Sequence, residues 1–123
     1  MLYSQIRSTY RNNRNNLAMR AALLLQEETD MPQVSIRIKK NIPVSAGMAG
    51  GSSDAAAVLV GCNQLFDLGL SEQALMRLGA EIGSDVPFCV RGGTAIAEGR
   101  GERIRSLPEL PKMHVVLVRA DYG

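Results

Sequence analysis

The chain has 123 residues, of which 46% are hydrophobic and 21% charged, and its formal net charge is +2. This is the size and composition of one ordinary globular domain, which can bury a core without disulfides or structural metals. The small net charge argues against a nucleic-acid partner. The longest apolar runs, residues 55–60 and 115–118, are far shorter than the ~20 residues of a membrane span.

The two cysteines, Cys62 and Cys89, lie far apart in apolar contexts, and neither belongs to a CxxC pair. Reduced thiols in a cytoplasmic protein are therefore expected. Residues 1–10 contain no apolar stretch followed by a small-residue cleavage site, so no signal peptide is predicted.

The N-terminal part of the chain is predicted to pass from a loop into a helix. Residues 1–14 are polar and without periodicity, which is typical of a loop. Asn15 or Asn16 can then cap a helix. Apolar residues at i, i+4, i+7 and i+8 from Leu17 predict one helical face, and the helix is expected to end near Thr29.

The middle of the chain alternates between predicted strands, loops and helices. Residues 34–38 alternate apolar and polar side chains, which predicts a half-buried strand. Residues 41–51 form a glycine-rich loop, and residues 53–66 are apolar enough to predict a buried helix. Ser71 can cap a further helix, which Gly83 is expected to end.

The last third of the chain is predicted to be mainly extended. The apolar stretches 86–90 and 94–97 are interpreted as strands of a hairpin, or as loop and strand. Another short strand is predicted at Ile104, and residues 114–119 have the β-branched centre that favours a strand. The order of elements indicates an α+β fold without internal repeats.

The glycine-rich loop is the most informative segment. Glycines permit positive φ angles and a close approach of backbone to a ligand, and the first N–H groups of a helix can bind phosphate oxygens. The segment contains neither G-x-x-x-x-G-K-[ST] nor G-x-G-x-x-G. A plain strand-to-helix turn with a serine cap is the alternative interpretation. The candidate phosphate-binding residues are Pro43, Val44, Ser45, Ala46, Gly47, Met48, Ala49, Gly50, Gly51, Ser52 and Ser53.

This loop resembles the phosphate-binding motif of the GHMP kinases, a family that includes galactokinase and the homoserine and mevalonate kinases. Met48 stands where Leu is commoner in that family. The segments 78–95 and 97–102 resemble the branch that phosphorylates diphosphocytidyl-methylerythritol. The resemblance covers about residues 15–119 and leaves residues 1–14 poorly matched.

The resemblance implies a fold and a reaction. The expected fold is an incomplete two-layer α+β sandwich of the GHMP kinase N-terminal domain, similar to the second domain of ribosomal protein S5, with residues 15–123 as its central part. The implied cofactors are ATP and Mg²⁺, with no metal ligand predicted in the chain. Asp85 matches the aspartate that removes a proton from the acceptor hydroxyl, although spacing alone also fits an Asp that braces a turn. Asp54 is expected to have a structural or indirect metal-water role.

Other functions stay open at this point. The chain could belong to another GHMP kinase of the homoserine or mevalonate type, could be a non-catalytic nucleotide-binding fragment, or could be an S5-like RNA-binding module, which its charge makes the least favoured. Diphosphocytidyl-methylerythritol is the expected small-molecule substrate, no nucleic-acid or membrane partner is expected, and a homodimer is left open. No counterpart of the family's N-terminal lysine or C-terminal domain is found, so the chain is expected to be part of a longer protein and inactive alone.

Overall fold

The computed structural model of the chain describes residues 15–42 and 47–118. The two strands of its hairpin pair antiparallel, with Ala95 opposite Ser106 and Glu98 opposite Arg103. The described residues thus form a helical body with one small sheet. In chain order the elements are α1 (Leu17–Glu28), α2 (Gly50–Leu65), α3 (Glu72–Ile82), α4 (Val86–Arg91), β1 (Ala95–Glu98) and β2 (Arg103–Ser106).

Two of the helices begin where capping chemistry predicts. The Asn16 side-chain oxygen accepts hydrogen bonds from the N–H groups of Ala18 at 2.9 Å and Met19 at 3.3 Å. The Ser71 hydroxyl accepts from the N–H of Ala74 at 3.1 Å. Each bond satisfies a donor that has no partner inside its helix, so the predicted caps of α1 and α3 are confirmed.

The core lies between the helices. Leu25 of α1, Leu59 of α2 and Val86 of α4 are all fully buried, and each contributes about 1.5–3 kcal/mol through the hydrophobic effect. A methyl group on Gly79 of α3 would lie 2.9 Å from Val86 Cγ1. The absence of a side chain at Gly79 therefore allows α4 to pack directly against α3.

The strand predicted at residues 86–90 is wrong, because this stretch is helix α4. Asp85 occupies its N-cap position and Pro87 lies in its first turn. A proline is tolerated there, since the N–H that it lacks would have no partner inside the helix. The hairpin is instead formed by β1 and β2, which confirms the strands predicted near residues 94–97 and at Ile104.

The predicted helix at residues 53–66 is α2, but it begins three residues earlier than predicted, at Gly50. Ser52 and Ser53 therefore lie within its first turn. The expectation of complete burial is wrong, because Gly61 and Leu65 are exposed on its outer side. Its buried face is lined by Ala55, Ala56, Leu59 and Cys62.

Two predicted strands are not formed in the described residues. Residues 34–38 have no regular secondary structure, although Val34 and Ile36 do pack against the core while Arg37 is exposed. The alternating pattern thus correctly predicted which side chains face the core. In residues 15–42 and 47–118, however, no neighbouring strand pairs with this stretch. Residues 114–118 are also irregular, and the predicted last position, 119, lies outside the described residues. Among the helices described, none has the length and apolar character needed to cross a membrane.

Candidate active site

The N-terminus of α2 carries no side-chain cap. Its N-cap residue, Ala49, has a left-handed backbone with φ of 53°, and its side chain forms no capping hydrogen bond. The Ser53 N–H donates to the Ala49 carbonyl at 2.9 Å, which starts the helical ladder. The N–H groups of Gly50, Gly51 and Ser52 precede that bond and have no partner inside the helix. They are available to an anion.

The glycines at this end of α2 allow close packing of the neighbouring chain. A methyl group on Gly50 would lie 3.0 Å from Ile42 Cγ2, which is tighter than ordinary contact. A methyl group on Gly51 would lie 3.4 Å from Leu17 Cδ1, at the limit of ordinary contact. Glycine at position 50 therefore lets the chain before the loop return against the helix, whereas Gly51 is exposed and has Leu17 beneath it.

An ion pair joins the two sides of the glycine-rich loop. The Lys40 ammonium, before the loop, donates to a carboxylate oxygen of Asp54, after it. The two side chains are 17% and 25% exposed, and a partly screened pair of this kind stabilises the fold by up to about 1 kcal/mol. A methyl group on Gly50 would lie 3.5 Å from the Lys40 nitrogen, so a cation lies beside the α2 N-terminus.

This ion pair is a structural contact of Asp54. The helix predicted from residue 53 would put Asp54 in the first helical turn, where a negative charge suits the helix dipole. Because α2 begins at Gly50, Asp54 is the fifth helical residue and lies in the second turn. Its partner Lys40 is not among the predicted site residues. A lysine three positions before the loop proline was the sequence feature that could have indicated a cation beside this loop.

Asp85 lies on the short turn between α3 and α4. The Val86 N–H donates to the Gly83 carbonyl at 3.2 Å, and the Cys89 N–H donates to the Asp85 carbonyl at 3.1 Å. The Asp85 side chain is exposed and, within the described residues, forms no hydrogen bond or ion pair. Its carboxylate is therefore free to act on a ligand.

The α3–α4 turn lies against the N-terminus of α2. A methyl group on Gly83 would lie 4.0 Å from both the Ser52 hydroxyl oxygen and Leu17 Cδ1. Leu17 also lies under Gly51. The fold thus brings the free N–H groups of α2 and the turn that carries Asp85 into one region, although they are far apart in sequence.

The remaining predicted loop residues differ in their surroundings. Gly47, with φ of 67°, and Met48 are exposed at the start of the described part of the loop. Ser53 Oγ donates to the Gly50 carbonyl at 2.8 Å and so braces the first turn of α2. The predicted residues Pro43, Val44, Ser45 and Ala46 lie outside the described residues.

The charge of Asp85 affects the pKa of a neighbouring cysteine thiol. Burial raises the pKa of the Cys89 thiol, and the negative charge of Asp85 raises it further. Burial alone raises the pKa of the Cys62 thiol. Both cysteines are free thiols. Asp85 is therefore close enough to Cys89 to influence its titration.

No group of three His, Cys, Asp or Glu side chains that could hold a metal ion occurs in residues 15–42 and 47–118. What this region offers is a set of N–H donors with an ammonium group beside them and one free carboxylate. Such a set suits a phosphate ligand, and it suits Mg²⁺ only when phosphate oxygens supply most of the metal ligands.

Comparison with known proteins identifies the family. Residues 16–93 match the N-terminal domain of the GHMP kinases, a stretch that includes α1, the glycine-rich loop and the Asp85 turn. The chain belongs to the GHMP kinase family. The uncapped start of α2 and the turn that carries Asp85 both lie within the matched residues.

Several relatives are similar over most of the chain. A protein of Levilactobacillus brevis named 4-diphosphocytidyl-2-C-methyl-D-erythritol kinase is 60% identical over 109 residues, which is 88% of this chain and 38% of the relative. A protein of the same name from Moorella thermoacetica is 56% identical over 108 residues, again 88% and 38%. The chain thus spans well under half the length of the curated relatives it matches.

A solved structure supports the same assignment. The crystal structure of a 4-(cytidine 5'-diphospho)-2C-methyl-D-erythritol kinase is 41% identical to this GHMP kinase chain, with a TM-score of 0.67. The similarity covers 79% of this chain and 35% of the other. The described helices and hairpin are consistent with an incomplete α+β domain of that kind.

Proposed function

We propose that this chain is the nucleotide-binding part of a kinase that transfers a phosphoryl group from ATP to the 2-hydroxyl of 4-diphosphocytidyl-2-C-methyl-D-erythritol, in the non-mevalonate route to isoprenoids. The observation that carries the proposal is the juxtaposition of the uncapped α2 N-terminus with the Asp85 turn. The names of relatives at 56% and 60% identity support the choice of substrate over homoserine or mevalonate.

The N-terminus of α2 binds the ATP phosphates in this proposal. The N–H groups of Gly50, Gly51 and Ser52 donate to phosphate oxygens, and each charge-assisted hydrogen bond contributes about 1.5–3 kcal/mol. The positive end of the helix dipole adds to the attraction. The Lys40 ammonium lies beside Gly50, where its charge is balanced by the Asp54 carboxylate. The other predicted loop residues, from Pro43 to Ala49 together with Ser53, complete the proposed contact set.

Asp85 acts as the general base. Its carboxylate accepts the proton of the acceptor hydroxyl as that oxygen bonds to the γ-phosphorus. The bond between the γ-phosphorus and the β–γ bridging oxygen breaks, and ADP leaves with the electron pair. A positioned base of this kind contributes about 10²–10⁴ in rate. The absence of a competing hydrogen bond on Asp85, within the described residues, suits this role.

Mg²⁺ is proposed to enter with ATP, held mainly by phosphate oxygens. The finer fold assignment, a two-layer sandwich similar to the second domain of ribosomal protein S5, is likewise a proposal, with residues 15–123 as the central part of the ATP-binding domain and residues 1–14 outside it. A cytoplasmic location fits a water-soluble diphosphate substrate. A homodimer stays open.

The proposal can be tested with a chimera in which this chain replaces its matched stretch in the Moorella thermoacetica relative. ADP release is measured with ATP and diphosphocytidyl-methylerythritol, and the intact relative is the positive control. We expect turnover within about tenfold of that control, a difference of about 1.4 kcal/mol in barrier height. Homoserine and mevalonate should give no turnover.

Two results would oppose the proposal. One is a chimera that unfolds cooperatively and binds ATP but does not turn over the diphosphocytidyl substrate. The other is faster turnover with homoserine or mevalonate. The 123-residue chain alone is expected to show no turnover in the same assay, because one part of the site cannot orient the acceptor hydroxyl.

A further inference from the structure

We propose that Arg20 is a positioning residue for the phosphoryl transfer, because its guanidinium group holds the end of α3 from which the Asp85 turn departs. This inference rests on the proposed function and adds a residue to it. Arg20 lies in α1, remote in sequence from Asp85. It is not among the residues that the sequence pointed to as part of the site.

The contact is a two-point one. Arg20 Nη1 donates to the Ile82 carbonyl at 3.1 Å, and Nη2 donates to the Glu81 carbonyl at 3.1 Å. These are the last two residues of α3, whose carbonyls have no partners inside the helix. The planar guanidinium fork fixes both positions at once, which a lysine ammonium cannot do.

The charge of Arg20 also complements α3. The last turn of α3 contains no basic residue of its own. A cation at a helix C-terminus interacts favourably with the helix dipole. Arg20 therefore supplies, from the neighbouring helix, the positive charge that the last turn of α3 lacks.

The position of the Asp85 carboxylate depends on the backbone of the turn. Within the described residues the side chain has no hydrogen bond that could orient it. The turn is held after Asp85 by the fully buried Val86. Gly101 of the hairpin lies close against its middle, where an added methyl group would be 2.7 Å from the Ser84 carbonyl oxygen. Arg20 secures the end of the turn that precedes Asp85, through its hydrogen bond to the Ile82 carbonyl.

Arg20 acts through the turn and not on the substrate. Its two terminal nitrogens are directed to α3 carbonyls. Loss of this tie should leave the α2 N-terminus unchanged and let the turn move. Because displacement of a catalytic group by about 1 Å can cost up to about 10²-fold in rate, the expected effect is on kcat and not on ATP binding.

The first experiment measures backbone hydrogen exchange in the 123-residue chain. We expect Arg20→Met to speed exchange of the Val86 and Cys89 amides, which donate within the turn, by about fivefold or more. The Ser53 amide in α2 should be unaffected. Arg77→Met is the matched control, since Arg77 is an exposed arginine of α3 that forms no hydrogen bond or ion pair in the described part of the chain.

The second experiment measures kinetics in the chimera. We expect Arg20→Met to lower kcat by about tenfold or more while KM for ATP changes less than about twofold. Arg20→Lys should recover part of kcat, since an ammonium can reach one carbonyl, and added guanidinium ion should raise the kcat of Arg20→Ala. Arg77→Met should match the parent.

The outcomes separate the two proposals. An inactive parent chimera that is folded contradicts the proposed function, while the exchange data still decide whether Arg20 holds the turn. With an active parent, the inference fails if Arg20→Met leaves kcat unchanged. It also fails if amide exchange rises equally in α2 and in the α3–α4 turn, or if KM for ATP rises as much as kcat falls. In either case Arg20 would support only the general stability of the fold. If Arg20→Met does not fold, Arg20→Lys replaces it: a kcat below that of the parent chimera supports the inference, and an unchanged kcat contradicts it.

Discussion

The helix N-termini of this chain are of two kinds. Those of α1 and α3 are closed by side chains, Asn16 and Ser71, that accept hydrogen bonds from the first N–H groups. Those of α2 and α4 have no side-chain cap. A good cap contributes about 0.5–2 kcal/mol, and the two ends that lack it are the ones that meet at the proposed active site. Within the described residues, α1 and α3 are thus closed locally by side chains, whereas N–H donors and a carboxylate are left free at the proposed active site.

The reason that Asp85 does not cap α4 is visible in its neighbours. Aspartate is a favoured capping residue when its backbone is extended, because its side chain can then reach the N–H of the second or third helical residue. Asp85 has φ of −90° and ψ of −11°, in the helical region. The second residue of α4 is Pro87, which has no N–H to donate. The helix therefore begins without using the Asp85 carboxylate.

The largest effect that would test this comparison is on Asp85 itself. In the chimera, Asp85→Asn should lower kcat by about 10²–10⁴, because it keeps the shape and removes the proton acceptor. ATP affinity and the free energy of unfolding should stay nearly constant, since the side chain caps nothing. Steady-state kinetics and denaturant unfolding measure the two quantities. A near-normal kcat would place the base elsewhere, with Asp54 the next residue to test.

The next effect concerns the α2 N-terminus. Gly51→Val should lower the ATP affinity of the chimera by about tenfold or more, because a branched side chain at the exposed helix start obstructs phosphate. Gly50→Val is a poorer test, since its Cβ would lie 3.0 Å from Ile42 Cγ2, whereas the Cβ added at position 51 would meet Leu17 Cδ1 at 3.4 Å, an ordinary contact. Titration calorimetry measures the affinity.

Gly61→Ala is the control for Gly51→Val, because Gly61 lies in the same helix with nothing within 4 Å of an added methyl group. It should leave ATP affinity unchanged and raise stability by about 0.5–1 kcal/mol. Equal ATP affinity in Gly51→Val and the parent would mean that the glycine-rich loop is only a turn.

The capped ends should behave in the opposite way. Ser71→Ala should lower the free energy of unfolding of the chain by about 1 kcal/mol, and Asn16→Ala by a similar amount, whereas Asn16→Asp should keep most of the cap. Urea unfolding followed by circular dichroism measures the difference. ATP affinity in the chimera should not change with Ser71→Ala. A loss of affinity there would show that capped and uncapped ends are not functionally distinct.

The predictions of helix caps, which depend on contacts between neighbouring residues, were correct, and the strand prediction that depends on a contact distant in sequence was not. The caps at Asn16 and Ser71 depend on bonds to residues two or three positions away, which the local pattern contains. The strand predicted at residues 34–38 needed a partner strand, whose identity no local pattern reveals. The apolar run 86–90 was predicted to be strand or loop, although an Asp two positions before Pro87 also fits a helix start.

The parts of the candidate site that lie in a recognisable sequence motif could be predicted from the sequence. The glycine-rich loop and Asp85 each have a distinctive sequence, and the fold places them together. Lys40 and Arg20 could not be found in this way. Their partners, Asp54 and the α3 carbonyls, are determined by helix packing and not by spacing along the chain.

The smallest predicted effect uses Cys89 to report on the Asp85 carboxylate without any substrate. The pKa of the Cys89 thiol is raised by burial first and by the Asp85 charge second. Asp85→Asn removes the second cause, so the pKa of Cys89 should fall and its thiolate fraction at a given pH should rise. Because the thiolate is the reactive form, alkylation of Cys89 by iodoacetamide near pH 8 should become faster, by about twofold to threefold.

Cys62 is the internal control, because burial alone raises the pKa of its thiol. Its alkylation rate should be the same in Asp85→Asn and in the parent chain, and mass spectrometry of digested samples gives both rates from one reaction. If the rate at Cys89 does not change relative to Cys62, the carboxylate does not lie near Cys89. In that case the α3–α4 turn would present Asp85 differently, and the contrast between a capping and a free helix end would lose its clearest example.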